Sequence, residues 1–132
     1  MISLCIICAP TDEEAKLLDR CLSYVSPFVG EICLTVTGQN KKCEEVGKKY
    51  KAKVSHFEWV NDFAAARNFN FAQATGEFVF WCDADDVLKG AEHLPKVIEK
   101  MKEGAIDCGV MNYLYDFNDG DCTVKHLKTR IV

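Results

Sequence analysis

Phe78-Val79-Phe80-Trp81-Cys82-Asp83-Ala84-Asp85-Asp86-Val87 is an apolar, strand-forming run that ends abruptly in three carboxylates. Aromatic and β-branched residues at this density read as a strand buried on both faces. An unpaired carboxylate inside such an interior costs several kcal/mol or gives up its charge. The acids therefore belong where the strand emerges, with Asp83 as its last residue. In an open α/β sheet, the carboxyl ends of the strands are where ligands bind. Asp83 and Asp85, as Asp-x-Asp, set hard oxygen donors close together, which suits Mg²⁺ or Mn²⁺ with a substrate phosphate completing the shell. Asp85 is the first candidate for the metal and Asp83 the second. Asp83 equally suits a hydrogen bond from a ribose or sugar hydroxyl, and Asp86 suits a structural role. The plainer reading of the same acids is the N-cap and first turn of a following helix.

Working outward, the 132 residues fit one domain spanning 1–132 with a single core. A 48% hydrophobic and 27% charged composition is that of a soluble globular protein. The net charge of -4, with Lys and Arg scattered, argues against a nucleic-acid partner. No apolar run approaches the roughly 20 residues of a membrane-spanning helix. Met1-Ile2-Ser3-Leu4 enters a strand-like run with no basic segment before it, so no signal peptide is expected. Of the eight cysteines, Cys5, Cys8, Cys33, Cys82 and Cys108 lie inside apolar runs, where the thiol acts as a small hydrophobe. Cys5 and Cys8 have C-x-x-C spacing, but on a strand residues three apart point to opposite faces and do not chelate one ion. Core thiols in a reducing compartment are the expectation.

Taken in order, Ile2 to Cys8 is a buried strand broken by Ala9-Pro10-Thr11-Asp12. Thr11 or Asp12 caps a helix with an acidic first turn and apolar positions at Leu17, Leu18, Cys21, Leu22 and Val25. Ser26-Pro27 ends it. A second strand covers Glu31 to Val36, Thr37-Gly38-Gln39-Asn40 turns, a basic helix runs from about Lys42 to Tyr50, and Ala52 to Phe57 is a third strand. Asn61 or Asp62 caps a helix reaching about Ala74, with Gly76 as its C′ glycine. After the opening strand come a helix over Lys89 to Lys102 with Pro95 in its first turn, a strand over Cys108 to Phe117, a turn at Asn118-Asp119-Gly120-Asp121, and a returning strand over Cys122 to Val132. Alternating strands and helices predict an α/β fold of three layers, α/β/α: a mostly parallel, Rossmann-like sheet with helices on both faces and an antiparallel strand or hairpin near the C-terminus. Arg130-Ile131-Val132 is still strand-like, so the chain reads as a fragment of a longer protein. An exposed sheet edge at that end makes a homodimer plausible.

Arg67 lies on an alanine-rich helix expected to pack closely on the sheet, and its planar fork matches diphosphate oxygens. Pro10, Thr11, Asp12, Thr37 and Gly38 follow the first two strands on the same edge as Asp83 and Ala84, where loops would contact a nucleotide. Neither G-x-x-x-x-G-K-[ST] nor G-x-G-x-x-G occurs. Asp116 to Asp121 has a calcium-loop flavour, but Leu127 stands where the bidentate Glu belongs. His56 reads as structural; His93 and His126 carry no motif.

Phe57-Glu58-Trp59-Val60-Asn61-Asp62-Phe63-Ala64-Ala65-Ala66-Arg67-Asn68, followed by Ala74-Thr75-Gly76-Glu77-Phe78-Val79-Phe80-Trp81-Cys82-Asp83-Ala84-Asp85-Asp86, resembles the family 2 glycosyltransferases. Ile2 to Ile7 and Arg20-Cys21-Leu22 resemble that family's first strand and helix. The resemblance covers residues 1–90 well and the rest loosely. It implies a GT-A fold and sugar transfer from a nucleotide-diphosphate sugar, a UDP-sugar above all, to an acceptor hydroxyl with inversion. It also implies a Mg²⁺ or Mn²⁺ ion at Asp85 neutralising the leaving group, and a donor nucleotide held by Pro10, Thr11, Asp12, Thr37, Gly38, Arg67, Asp83 and Ala84. Work in cell-envelope polysaccharide synthesis follows, in the cytoplasm or at the inner face of the membrane.

Two departures stand out. Many relatives carry an aspartate at the end of the second strand, as in VDTGSTD, where this chain has Val36 in Thr35-Val36-Thr37-Gly38. The family's catalytic base lies beyond the segment RIFR, and this chain stops at Arg130-Ile131-Val132. A non-catalytic nucleotide-binding or assembly module on the same fold is the alternative. A nucleotidyltransferase is disfavoured, because the loop after the first strand is acidic rather than glycine-rich and basic.

Overall fold

The structure, a computed structural model, describes residues 1–104, 107–118 and 121–132. The expected turn at 118–121, within the calcium-loop-like stretch at 116–121, includes Asp119 and Gly120, which lie outside the described residues. The elements run β1 (Ile2–Cys8), α1 (Asp12–Val25), a 3-10 turn (Ser26–Phe28), β2 (Glu31–Val36), α2 (Lys41–Lys49), β3 (Lys53–His56), α3 (Phe63–Phe71) and β4 (Phe78–Trp81). A second 3-10 turn (Ala91–His93) then leads into α4 (Leu94–Lys102), β5 (Gly109–Asn118) and β6 (Asp121–Ile131). The six strands form one sheet in the order β3-β2-β1-β4-β6-β5. β1 lies parallel to both β2 and β4, and β3 runs parallel to β2. β6 returns antiparallel between β4 and β5. The expected three-layer α/β architecture is present.

Alternation along β1 divides the core. Ile2, Leu4, Ile6 and Cys8 join Leu18, Leu22 and Val25 of α1 with Leu94, Ile98 and Met101 of α4 in one apolar cluster. The other face of the sheet meets α3, where Ser3 accepts a hydrogen bond from the Gly76 N–H and Cys5 Sγ lies 4.0 Å from the Asn70 carbonyl. Each fully buried Leu or Ile contributes about 1.5–3 kcal/mol over its exposed state. Cys5 and Cys8 thus do face opposite sides: Cys8 Sγ is 3.6 Å from Cys43 Sγ of α2.

The helix starts follow their caps. Thr11 Oγ1 accepts from the Glu14 N–H at 3.1 Å, Asn40 Oδ1 from Cys43 at 2.9 Å, and Asp62 Oδ1 from Ala65 at 3.0 Å. Pro95 sits in the first turn of α4, whose α-helical part begins only at Leu94.

Several expectations are corrected. β4 stops at Trp81, so Asp83 is two residues past the strand rather than its last residue. Only Phe80 of β4 is fully buried; α3 is short on that side, and Trp81 is covered in part by Phe71, with ring centroids 5.4 Å apart. α3 ends at Phe71 with Ala72 as its C-cap, so Gly76 is no C′ glycine. A Cβ at Gly76 would meet Ser3 Oγ at 2.6 Å and the Met1 carbonyl at 2.7 Å. Close approach to β1 explains that glycine. Of the three alanines before Arg67, only Ala66 is buried. Cys108 is exposed, just outside β5, whereas Cys5, Cys8, Cys33 and Cys82 are buried as expected and Cys21 and Cys43 join them. Finally, the strand that ends the chain is β6, which is flanked on both sides, so the edge there is β5.

Candidate functional site

The carboxyl ends of β1, β2 and β4 converge on one edge of the sheet because all three strands run parallel. After β4 the chain makes a tight turn over Asp83–Asp86, closed by the Asp86 N–H donating to the Asp83 carbonyl at 3.0 Å. The Asp86 side chain folds back to accept from the Asp83 N–H at 2.9 Å. This turn brings one carboxylate oxygen from each of Asp83, Asp85 and Asp86 within 4.8 Å of one another. No α-helix begins here: the next starts at Leu94, so the acids do not cap it.

Three like charges this close need compensation. Arg67 Nη2 lies 3.2 Å from Asp83 Oδ1, and Arg130 Nη2 lies 3.9 Å from Asp83 Oδ2 and from Asp86 Oδ2. Phe63 packs against Arg67, whose Cζ is 5.6 Å from the ring centroid, and fixes that guanidinium from one side. α1 clamps the turn from beneath: Arg20 Nη2 donates to the Asp85 carbonyl at 3.0 Å, and Cys21 Sγ lies 3.7 Å from Cys82 Sγ. Asp85 alone of the three acids is exposed. Ala84, between Asp83 and Asp85, is buried in the core. A cavity of about 620 Å³ opens beside Asp85 and Asp86, lined among others by Phe80, Leu94, Met111 and Arg130.

The loops after β1 and β2 are tied to each other. The Thr37 N–H donates to the Cys8 carbonyl at 3.0 Å. Asn40 Nδ2 donates to the Pro10 carbonyl at 3.4 Å and to Asp12 Oδ1 at 3.1 Å. Gly38 has φ 156°, and a Cβ there would strike the Pro10 ring at 2.8 Å. Pro10, Thr11, Asp12, Thr37 and Gly38 thus form one cluster, and Arg67, Asp83, Ala84 and Asp85 form a second on the same edge. Several have structural duties too: Thr11 caps α1, and Asp12 pairs with Lys42 at 3.1 Å. The Asn40 hydrogen bond, then Lys42, hold the Asp12 carboxyl below its usual range.

Glu14 and Asn40 read in the sequence only as a helix first-turn residue and a turn residue, and His56 as structural. Glu14 stands between the clusters: burial, then the charges of Asp85 and Asp83, push its carboxyl up. Its position in an acidic first turn had a sufficient explanation in the helix dipole. His56 ends β3 with Nδ1 2.8 Å from the Gly38 carbonyl and Nε2 3.1 Å from Glu44, buttressing the loop after β2. Asn40 looked like an ordinary turn residue. Val36, at the position of the relatives' aspartate, is fully buried in the core and offers the site no polar atom.

This strand order and this acidic edge define a Rossmann-like α/β domain with its candidate site at the carboxyl ends of the strands. Within that class the chain belongs to glycosyl transferase family 2, whose profile matches residues 6–129. A TPR repeat-containing protein of Synechococcus elongatus is 39% identical over 87 residues, 66% of this chain and 21% of its own length. The glycosyltransferase SunS of Bacillus subtilis is 26% identical over 108 residues, 79% of this chain and 26% of its own. Among solved structures, S. aureus TarS 1-349 in complex with UDP superposes with a TM-score of 0.69 at 20% identity, covering 93% of this chain and 38% of that one. Glucosyl-3-phosphoglycerate synthase from Mycobacterium tuberculosis with Mn2+ and UDP gives 0.60 at 16% identity, covering 76% and 39%. These structural likenesses establish the GT-A fold. The chain spans between about a fifth and two fifths of the length of these relatives.

Proposed function

We propose that this chain is the donor-binding part of a glycosyltransferase that moves a sugar from a nucleotide-diphosphate sugar to an acceptor hydroxyl with inversion. The observation that carries the reading is the turn after β4, where three carboxylates lie within 4.8 Å and Arg67 stands 3.2 Å from Asp83. Family membership supports it, as do the UDP and Mn2+ named with TarS and the mycobacterial synthase.

An all-carboxylate donor set fits a hard cation, Mg²⁺ or Mn²⁺. Asp85 would hold it, with Asp83 as the second ligand. Such an ion, when bound, supplies positive charge at the diphosphate leaving group. The chain's own residues do the rest. Arg67 presents its planar fork to diphosphate oxygens from a fixed position. Pro10, Thr11 and Asp12 with Thr37 and Gly38 shape the nucleoside end, and His56 and Asn40 keep those loops together. The acceptor hydroxyl gives its proton to a base for which we assign no residue of this chain.

The reading extends to a UDP-sugar as donor and to work on cell-envelope polysaccharide. Its location would be the cytoplasm or the inner face of a membrane; none of the described helices is long and apolar enough to cross one. A second copy would pair through the β5 edge, and mass by light scattering tests it.

Thermal melting is the test. UDP with Mn²⁺ at about a hundredfold above Kd should stabilise the fold by about 2.7 kcal/mol, and Asp85→Ala should abolish the rise. No shift with any nucleoside diphosphate would sink the proposal. The buried Val36 favours a second reading, a nucleotide-binding module without transfer; acceptor-dependent release of UDP by this chain would exclude it.

A further inference from the structure

Arg130 has no part in the reading above. It comes from β6, an element the acidic turn does not touch in sequence, and it is 8% exposed. Its neighbour Ile131 pairs with Phe80 of β4, so the register of the β4–β6 ladder delivers the guanidinium beneath the turn. There it lies 3.9 Å from Asp83 Oδ2 and 3.9 Å from Asp86 Oδ2. Arg67 takes the other oxygen of Asp83. Asp86 Oδ2 also accepts from the Asp83 N–H. Two of the three acids are thus engaged by buried or half-buried cations and by the turn itself. Asp85 is the exposed one, and Arg20 holds it through its backbone carbonyl.

We propose that Arg130 is a positioning residue that, with Arg67, offsets the charge of Asp83 and Asp86 and fixes them beside Asp85, the most exposed carboxylate, which leads in holding the cation with Asp83 second. This rests on the metal–nucleotide reading of the site and adds a division of labour within it. Two physical consequences follow. Three carboxylates facing two guanidinium groups attract a bare divalent ion far less than three uncompensated ones. The same guanidinium favours the diphosphate, whose negative charge arrives with the ion. Arg130 therefore lowers the affinity for free cation and raises the affinity for cation and nucleotide together. A side chain that merely packed under the turn would move both in the same direction.

The experiment is calorimetric titration of the whole chain with Mn²⁺ alone, and with UDP at saturating Mn²⁺, for the wild type, Arg130→Met and Arg130→Lys. Methionine keeps most of the apolar stem and removes the charge; Arg130→Gln replaces it if the methionine variant does not fold, as judged by circular dichroism. Removing the charge should tighten Mn²⁺ alone by about fivefold, the scale of one unit charge acting on a divalent ion across roughly 8 Å of well-screened medium. It should weaken UDP at saturating Mn²⁺ by about tenfold, the scale of one unit charge acting through the turn on the diphosphate. Lysine should restore both to within about twofold. Parallel weakening of both titrations, or no change in either, overturns the inference while leaving the metal–nucleotide reading in place. A wild type that binds neither Mn²⁺ nor UDP overturns both.

Discussion

Replacing Glu31 by glutamine should cost this fold about 3 kcal/mol at neutral pH and far less in acid. Glu31 opens β2 at the edge of the sheet opposite the acidic turn. Ser3 Oγ donates to its Oε2 at 2.5 Å, the Thr75 N–H at 2.9 Å, Thr75 Oγ1 to Oε1 at 2.9 Å, and Lys53 Nζ to Oε1 at 3.0 Å. Burial alone would push this carboxyl up; the hydrogen bonds from Ser3, Thr75 and Lys53 outweigh it and hold the pKa down to about 2. A depressed folded-state value means the stabilisation is fully present above the ordinary carboxylate range. It is lost as pH falls through about 2. The side chain is only 14% exposed, so solvent screening takes little from it. Each pH unit below the ordinary value removes about 1.4 kcal/mol. Urea denaturation of wild type and Glu31→Gln at pH 7 and pH 3 reads this directly. The gap of about 3 kcal/mol at pH 7 should shrink to about 1 kcal/mol at pH 3. At neutral pH the melting temperature should fall by about 10 °C. A neutral-pH cost below about 0.5 kcal/mol, or one equal at both pH values, would refute the electrostatic account.

Two further perturbations test the packing. Gly76→Ala forces a methyl against Ser3 Oγ and the Met1 carbonyl and should destabilise by about 2 kcal/mol in urea; a neutral result would mean the turn before β4 can shift freely. Cys5, Cys8, Cys21, Cys33, Cys43 and Cys82 should react with a thiol reagent only after denaturant is added, while exposed Cys108 reacts in the native protein. Burial pushes the Cys8 thiol up, which further suppresses its thiolate.

The parallel half of the fold was legible because its signals are local. Alternation in β1 and β2, caps at Thr11 and Asp62, and the break at Asp83 each act within a few residues. What the sequence concealed depends on distant partners. Gly76 looked like a helix terminator, but its reason is the approach of β1, seventy-odd positions away in the chain. The order of the last two strands also could not be read from spacing, since a returning hairpin pairs equally well with its outer strand toward or away from β4. The site shows the same division. Asp83, Asp85 and Arg67 were nameable from residue type and motif. Arg20, Arg130 and Glu14 act through geometry that only the folded sheet supplies.

The insertion of β6 between β4 and β5 has a bearing on the order in which this protein assembles. Val79 and Val132 exchange both backbone hydrogen bonds, at 2.7 and 3.0 Å. β1, β2 and β3 can find each other through short crossovers, whereas β4 must pair with β1 from about seventy-five positions upstream and with β6 from some fifty downstream, and distant pairings close slowly. The loops after β1 and β2 should therefore be shaped early in folding. The acidic turn should acquire its final geometry only when the hairpin has docked, late and together with Arg130.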